Sequence, residues 1–163
     1  MVISFGLSVK EIEAAIKEVK TYKRDLNYKV KRFAELLAEE GLYIARTNIA
    51  EYNAIYSGEL IESIKTEFQG SSETGSTWII YTDNEHAKYI EFGFGFIGSS
   101  SPHPKTSVIG WKYDINKHGE KGWFYMKDGE WHWSNGQPSK PFMYMTARDL
   151  KMKVNDIAKI VFR

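Results

Sequence analysis

Apolar residues recur every three or four positions through the first fifty residues. Val9, Ile12, Ile16 and Val19 keep this spacing, and Leu26, Val30, Phe33, Leu37 and Ile44 continue it. The period predicts helices over about 8–20 and about 25–50, either separate or joined. Ser8-Val9-Lys10-Glu11 has capping-box spacing at the start of the first. Gly41 is expected to mark an irregularity in the second.

The pattern changes at Ser57-Gly58. Ile64 to Phe68 alternates as a half-buried strand does, and Trp78 to Thr82 is β-branched and aromatic, so the two read as a hairpin around a polar Gly/Ser loop over 69–76. A short helix is expected over 85–92, with Ala87, Ile90 and Glu91 facing inward. Phe94 to Ser107 has Gly, Ser and Pro but no period, and reads as a long loop. Three short aromatic runs follow, over 108–115, 122–126 and 130–133, with the turn signal Asp128-Gly129 between the last two. Alternation puts Trp131 and Trp133 on one face of the last run and His132 on the other. Pro141 suits a helix start, and Phe142, Met145, Leu150, Val154, Ile157 and Val161 predict a helix running to the end. This order predicts one α+β domain over 1–163: N-terminal helices, an antiparallel β-sheet with a long loop and an aromatic hairpin insertion, and a C-terminal helix packed on the sheet.

Composition narrows the function. The 163 residues are 42% hydrophobic and 26% charged, as a globular domain is. The net charge of +1 gives no overall basic excess for nucleic acid. Lys10, Lys17, Lys20, Arg24 and Lys31 nevertheless share one side of a continuous helix, as a solvated face or as a contact for DNA or an acidic partner. Glu11, Glu13, Glu18 and Asp25 are interleaved with them. The absence of cysteine rules out disulfides and thiolate metal sites, and fits a cytosolic origin. The first residues lack the pattern of a signal peptide, and no apolar run reaches the length of a membrane span.

Candidate chemistry is sparse. Gly93-Phe94-Gly95-Phe96-Ile97-Gly98 matches G-x-G-x-x-G, but that motif binds a dinucleotide only between a strand and a helix, and Ser99 to Pro104 is a poor helix start. The glycines are read instead as letting a bulky aromatic loop bend. His86, His103, His118 and His132 do not pair at metal-ligand spacing. Glu85, His86 and Glu91 are close enough for an acid–base cluster, yet no nucleophile or phosphate loop accompanies them. No catalytic, metal or cofactor-binding residue is assigned. The aromatic pair of runs from Gly110 to Trp133 superficially resembles cell-wall-binding repeats, which hold choline or sugars on stacked rings but need several tandem copies.

Three segments, taken in order, resemble a known family. Ser57-Gly58-Glu59-Leu60-Ile61-Glu62-Ser63-Ile64 is similar to its Thr/Ser-Gly-x-Leu-x-x-Ser-Ile. His86-Ala87-Lys88-Tyr89-Ile90-Glu91-Phe92-Gly93 is similar to its Tyr-Ala-x-Tyr-Val-Glu-Phe-Gly. Pro138 to Ala147, with Pro141, Phe142 and Ala147, is similar to its Gln-Pro-Phe-(apolar)-x-x-Ala before a closing helix. The family is the head–tail joining, or neck and tail-completion, minor structural proteins of long-tailed bacteriophages and prophages. Phe94 stands where the family usually has Thr, and the hairpin from Gly110 to Trp133 is longer than the minimal pattern, resembling the variant in phages of Gram-positive hosts.

The resemblance implies a non-enzymatic virion protein, made in the bacterial cytoplasm. It would form a ring at the head–tail junction around the DNA passage, against connector and tail proteins, without cofactor or membrane. Glu91, which packing alone does not explain, is expected to cap a helix or to bind a basic residue of a neighbouring copy. Phe94, Phe96 and Ile97 are expected at a subunit interface, on a loop that is mobile until it docks; the opposing expectation is that the two Phe rings close the domain's own core. The alternative functions are a carbohydrate or cell-wall binding module built on the aromatic hairpin, and a small hydrolase with a site near His86 and Glu91.

Overall fold

The computed structural model describes residues 6–54, 58–73, 75–113 and 122–163. Ser57, the end of the 108–115 run and His118 lie outside them.

The two N-terminal helices are one. Helix α1 runs Val9–Glu51, 43 residues, which at 1.5 Å per residue is roughly 65 Å. The capping box starts it: Glu11 N–H donates to Ser8 Oγ at 3.4 Å, and Ser8 N–H donates to Glu11 Oε2 at 3.2 Å. Gly41 causes no irregularity. A Cβ there would stand 2.3 Å from Ile80 Cδ1 and 3.1 Å from Leu150 Cδ2, so the missing side chain lets a strand and the last helix close on α1 together.

After α1 the chain turns at Gly58, whose φ of 80° suits glycine. Helix α2 (Glu59–Ser63) leads into strands β1 (Ile64–Ser72) and β2 (Gly75–Thr82). These form an antiparallel hairpin longer than expected. Most of the predicted polar loop is strand, with Gly70, Ser71 and Ser72 opposite Thr77, Ser76 and Gly75, and a bulge between Phe68 and Gly70. Paired backbone groups hold a Gly/Ser stretch extended despite its low strand propensity.

Helix α3 (Ala87–Phe92) follows as expected. The long loop does not: it contains helices α4 (Gly95–Ser100) and α5 (Thr106–Ile109). Val108 and Ile109 therefore belong to a helix rather than an aromatic strand. Strands β3 (Trp123–Lys127) and β4 (Glu130–Ser134) form a second, separate hairpin, and α6 (Phe142–Val161) closes the chain.

The class is α+β, with helices and two small antiparallel sheets. The final helix lies mainly along α1 rather than directly on the sheet, and α1 packs in turn on the β1–β2 hairpin. The core lies where these meet: Ala45, Ile49 and Ala54 around α1, with Leu60, Ile64, Ala87 and Phe142. Ile49, Ile64 and Phe142 are fully buried. Beside the core, Asn48 Nδ2 donates to Thr146 Oγ1 at 3.2 Å and to Asp149 Oδ2 at 3.4 Å, so α1 and α6 are also tied by polar bonds. No helix of the described residues is long and apolar enough to cross a membrane.

Candidate functional site

Glu91 sits on the inner side of α3 and is 7% exposed. Its Oε2 accepts from Met143 N–H at 2.8 Å, and its Oε1 accepts from Tyr144 N–H at 2.9 Å. These amides belong to the first turn of α6, where backbone donors have no partner within the helix. Pro141 and Phe142 give no side-chain cap, so Glu91 supplies from α3 the cap that α6 lacks, along with a negative charge that suits a helix N-terminus.

His103 completes this node. Its Nδ1 accepts from Lys105 N–H at 3.0 Å, which leaves the ring proton on Nε2, 3.1 Å from Glu91 Oε1. The histidine side chain is 2% exposed. Phe92 and Tyr144 pack edge-on against its ring, at 4.8 and 5.4 Å between centroids. With both nitrogens engaged inside the chain, the imidazole has no lone pair free to take a proton from a substrate.

The surrounding segment is stitched to residues 135–140. Phe94 and Gln137 exchange backbone bonds at 3.1 and 3.0 Å, Ile97 N–H donates to Asn135 O at 3.1 Å, and Lys140 N–H donates to Ile90 O at 2.8 Å. Trp111 Nε1 donates to Gly93 O at 2.9 Å. Gly93 (φ 74°) has to be glycine here, since a Cβ would stand 2.6 Å from Ser139 N. The G-x-G-x-x-G stretch thus serves close backbone approach. No strand leads into it, as α3 ends at Phe92.

The three family-like segments come together in the core. Leu60 and Ile64 come from the first, Ala87 from the second and Phe142 from the third. Ser63 Oγ donates to Leu60 O at 2.8 Å and meets Thr82 Oγ1 at 2.6 Å. Tyr89 is partly exposed and packs against Phe94 and Trp111, and Phe92 stacks on Trp111. Ala147 is exposed on α6 and builds no core.

Glu91 takes the first of its two expected roles, the helix cap. Glu91 faces α6 and His103 of its own chain, so it is not available to a neighbouring copy. Phe94 is half-buried between Tyr89 and Trp123, at 5.8 and 5.5 Å between ring centroids, and closes its own domain. Phe96 and Ile97 do remain exposed. The acid–base cluster is not assembled: His86 is exposed at the start of α3 while Glu91 points inward. Among the described residues no group of three His, Asp or Glu is placed to hold a metal.

The second hairpin presents the other notable surface. Phe124 pairs across it with Trp133, and Met126 with Trp131. All four share one face, and all are exposed, at 62%, 50%, 59% and 66%. Trp131 and Trp133 therefore share one environment, and His132 lies opposite, beside Tyr125. Comparison with protein-family models, curated proteins and solved structures gives no match to this chain.

Proposed function

We propose that the protein is a non-enzymatic structural component of the phage head–tail junction, assembling as a ring that joins capsid to tail around the DNA passage. The motif resemblance supplies the phage context. The observation that carries the assembly role is the uncovered apolar face of the β3–β4 hairpin: Phe124, Met126, Trp131 and Trp133 leave water only when another surface covers them. Exposed aromatic clusters of this kind are typical anchors of protein–protein contacts. Ring closure needs heterologous contacts, with about six copies to match a tail's symmetry.

The exposed tryptophans also favour a second reading, a carbohydrate-binding face. Against it, Phe124 and Trp133 meet edge to face, 69° between planes, and so do not lie side by side as a flat platform for a sugar ring. Mass spectrometry of purified virions tests the main reading, which expects the protein in mature particles and expects Trp131→Ala/Trp133→Ala to fold yet be missing from them. Absence of the wild-type protein from particles refutes it, and binding to cell-wall glycan that is lost in the same variant would favour the second.

A further inference from the structure

Helix α1 is longer than the body it supports. Lys23 reaches Glu73 at the tip of the first hairpin, 3.1 Å away, and Lys29 Nζ donates to the Arg163 carbonyl just past α6, at 2.8 Å. From Ser8 to Tyr22 every residue except Ala15 is exposed. This arm of about fifteen residues spans roughly 22 Å, and its continuity with the buried part of α1 keeps it helical.

Because α1 is one helix, the basic residues of its first half fall into register. At about 100° per residue, Lys10, Lys17, Lys20, Arg24 and Lys31 lie within an arc of about 80°, over a length of roughly 32 Å. All five are exposed. Lys23 and Lys29, which tie the helix to the body, lie roughly 100° to one side of the arc's midline and roughly 140° to the other. The arc is therefore turned away from the body. Glu11, Glu18 and Asp25 lie on the Lys29 side, roughly 100–140° from the midline. Two carboxylates share the arc: Glu13, between Lys10 and Lys17, and Glu35, a turn beyond Lys31, which Arg32 holds at 2.6 Å. Among the described residues Lys10, Lys17, Lys20 and Lys31 pair with no carboxylate. Arg24 meets Asp25 at 3.7 Å, an exposed pair of little worth. The net charge of +1 thus conceals a local basic excess.

We propose that this face of α1 binds the phosphate backbone of duplex DNA without reading its sequence. The chemistry of the face selects the occupant. Between Lys10 and Lys31 the residues of the arc besides the cations are Glu13 and Tyr28, and none is aliphatic. A folded acidic protein would need an apolar anchor at the centre of its contact. A phosphate backbone needs only cations, presented along a line. The row is about as long as one turn of B-form duplex, roughly 34 Å, and an α-helix is a rod that the major groove admits. Cations that neutralise phosphates release counterions, which drives binding. Flexible lysines act there as point charges and carry no base preference. The inference stands on the charge pattern of α1 and does not depend on the assembly reading.

Fluorescence anisotropy of the full chain with a labelled duplex of about 20 base pairs, two helical turns, tests it. Affinity should fall steeply from about 50 to 200 mM salt, since four or five phosphate contacts give log K against log salt a slope of roughly −3.6 to −4.5. Lys17→Gln/Lys20→Gln should bind roughly tenfold or more weakly at about 100 mM salt and flatten that slope by about 2. Glutamine has the helix propensity of lysine, and far-UV circular dichroism checks that α1 is intact. Lys17→Arg/Lys20→Arg should bind as wild type does, and duplexes of unrelated sequence should bind equally. Lys151→Gln/Lys153→Gln removes the same charge from an exposed part of α6 and should bind as wild type does. Failure to bind duplex at low salt overturns the inference, and so does an equal loss in the Lys151/Lys153 variant. Tighter binding to polyglutamate or to anionic phospholipid vesicles than to duplex also overturns it, and assigns the face to an acidic protein or a membrane. A protein found in virions that binds no duplex keeps the assembly role. One absent from virions that binds duplex through this face loses the phage role alone.

Discussion

Replacing Glu91 by Gln changes one oxygen to an amide with almost no change of shape. The carboxylate accepts from three donors: Met143 N–H, Tyr144 N–H and His103 Nε2–H. An amide oxygen in the Oε1 position keeps Tyr144 and His103, but the NH2 group then faces the Met143 amide, donor against donor. That removes one hydrogen bond to a charged acceptor, about 1.5–3 kcal/mol. The negative charge at the α6 N-terminus goes as well, a further contribution of up to about 2 kcal/mol in a part-buried site. The expected loss is about 2–4 kcal/mol. Denaturant titration should show a lower midpoint at unchanged slope, and thermal unfolding a melting temperature lower by roughly 5–15 °C. Glu91→Ala, which orphans all three donors, should cost more. Glu85→Gln, on the exposed side of the same segment, should be neutral. A Glu91→Gln protein within about 0.5 kcal/mol of wild type would show that the node does not hold α6 in place.

Phe94→Ser should destabilise the fold by about 2–4 kcal/mol, because the ring packs between Tyr89 and Trp123. Phe96→Ser should change stability by less than about 0.5 kcal/mol, since that ring is exposed; equal effects in thermal melts would contradict the placement of the two. Trp131→Ala/Trp133→Ala should cost at most about 1–2 kcal/mol in denaturant unfolding, mainly the Phe124–Trp133 edge contact, and a core-sized loss would mean that the hairpin face is covered by the chain itself. Lys65, hydrogen-bonded to Asp83 at 2.7 Å, holds that carboxyl below its ordinary range, helped by Asp83's own backbone amide, and Asp83 raises Lys65 in return. The carboxyl's contribution is therefore present above the unfolded carboxylate range and lost as pH falls through the folded value, so Lys65→Met should move the Asp83 titration seen by NMR upward; an unmoved titration would deny the pairing.

Long elements were legible because their signals repeat. Periodicity over α1 and α6, the capping box at Ser8 and Asp128-Gly129 between β3 and β4 all announce local structure that the chain adopts. The segment from Phe94 to Ile109 was not legible as helix, because six- and four-residue helices are too short to show a period. The first is held by bonds from it and its flanking residues to residues 135–139 that no local pattern encodes. Residues 69–76 read as loop for the same reason: a Gly/Ser stretch becomes strand only because a partner strand faces it. The Glu91–His103 contact joins residues twelve apart, and nothing in His103's immediate neighbours, two prolines, marks it as buried. Glu91 alone carried a signal, a carboxylate in an apolar run with a cap as one expected role.

The burial pattern also divides what the motifs can say from what they cannot. The residues that resemble the phage family do structural work: Leu60, Ile64, Ala87 and Phe142 fill the core, Gly58 and Gly93 turn the chain, and Glu91 caps α6. A resemblance carried by such residues speaks first to fold, since another protein with the same core would need the same side chains. Among the described residues, the α1 arm and the Phe124–Trp133 face are two surfaces that expose large apolar side chains to a partner, and none of the three motifs contributes a residue to either. Both expose large apolar side chains at an unfavourable ~25 cal/mol per Å², and neither is needed to close the domain. Substitutions on those surfaces, which leave the core untouched, therefore separate function from folding more cleanly than any change within the motifs.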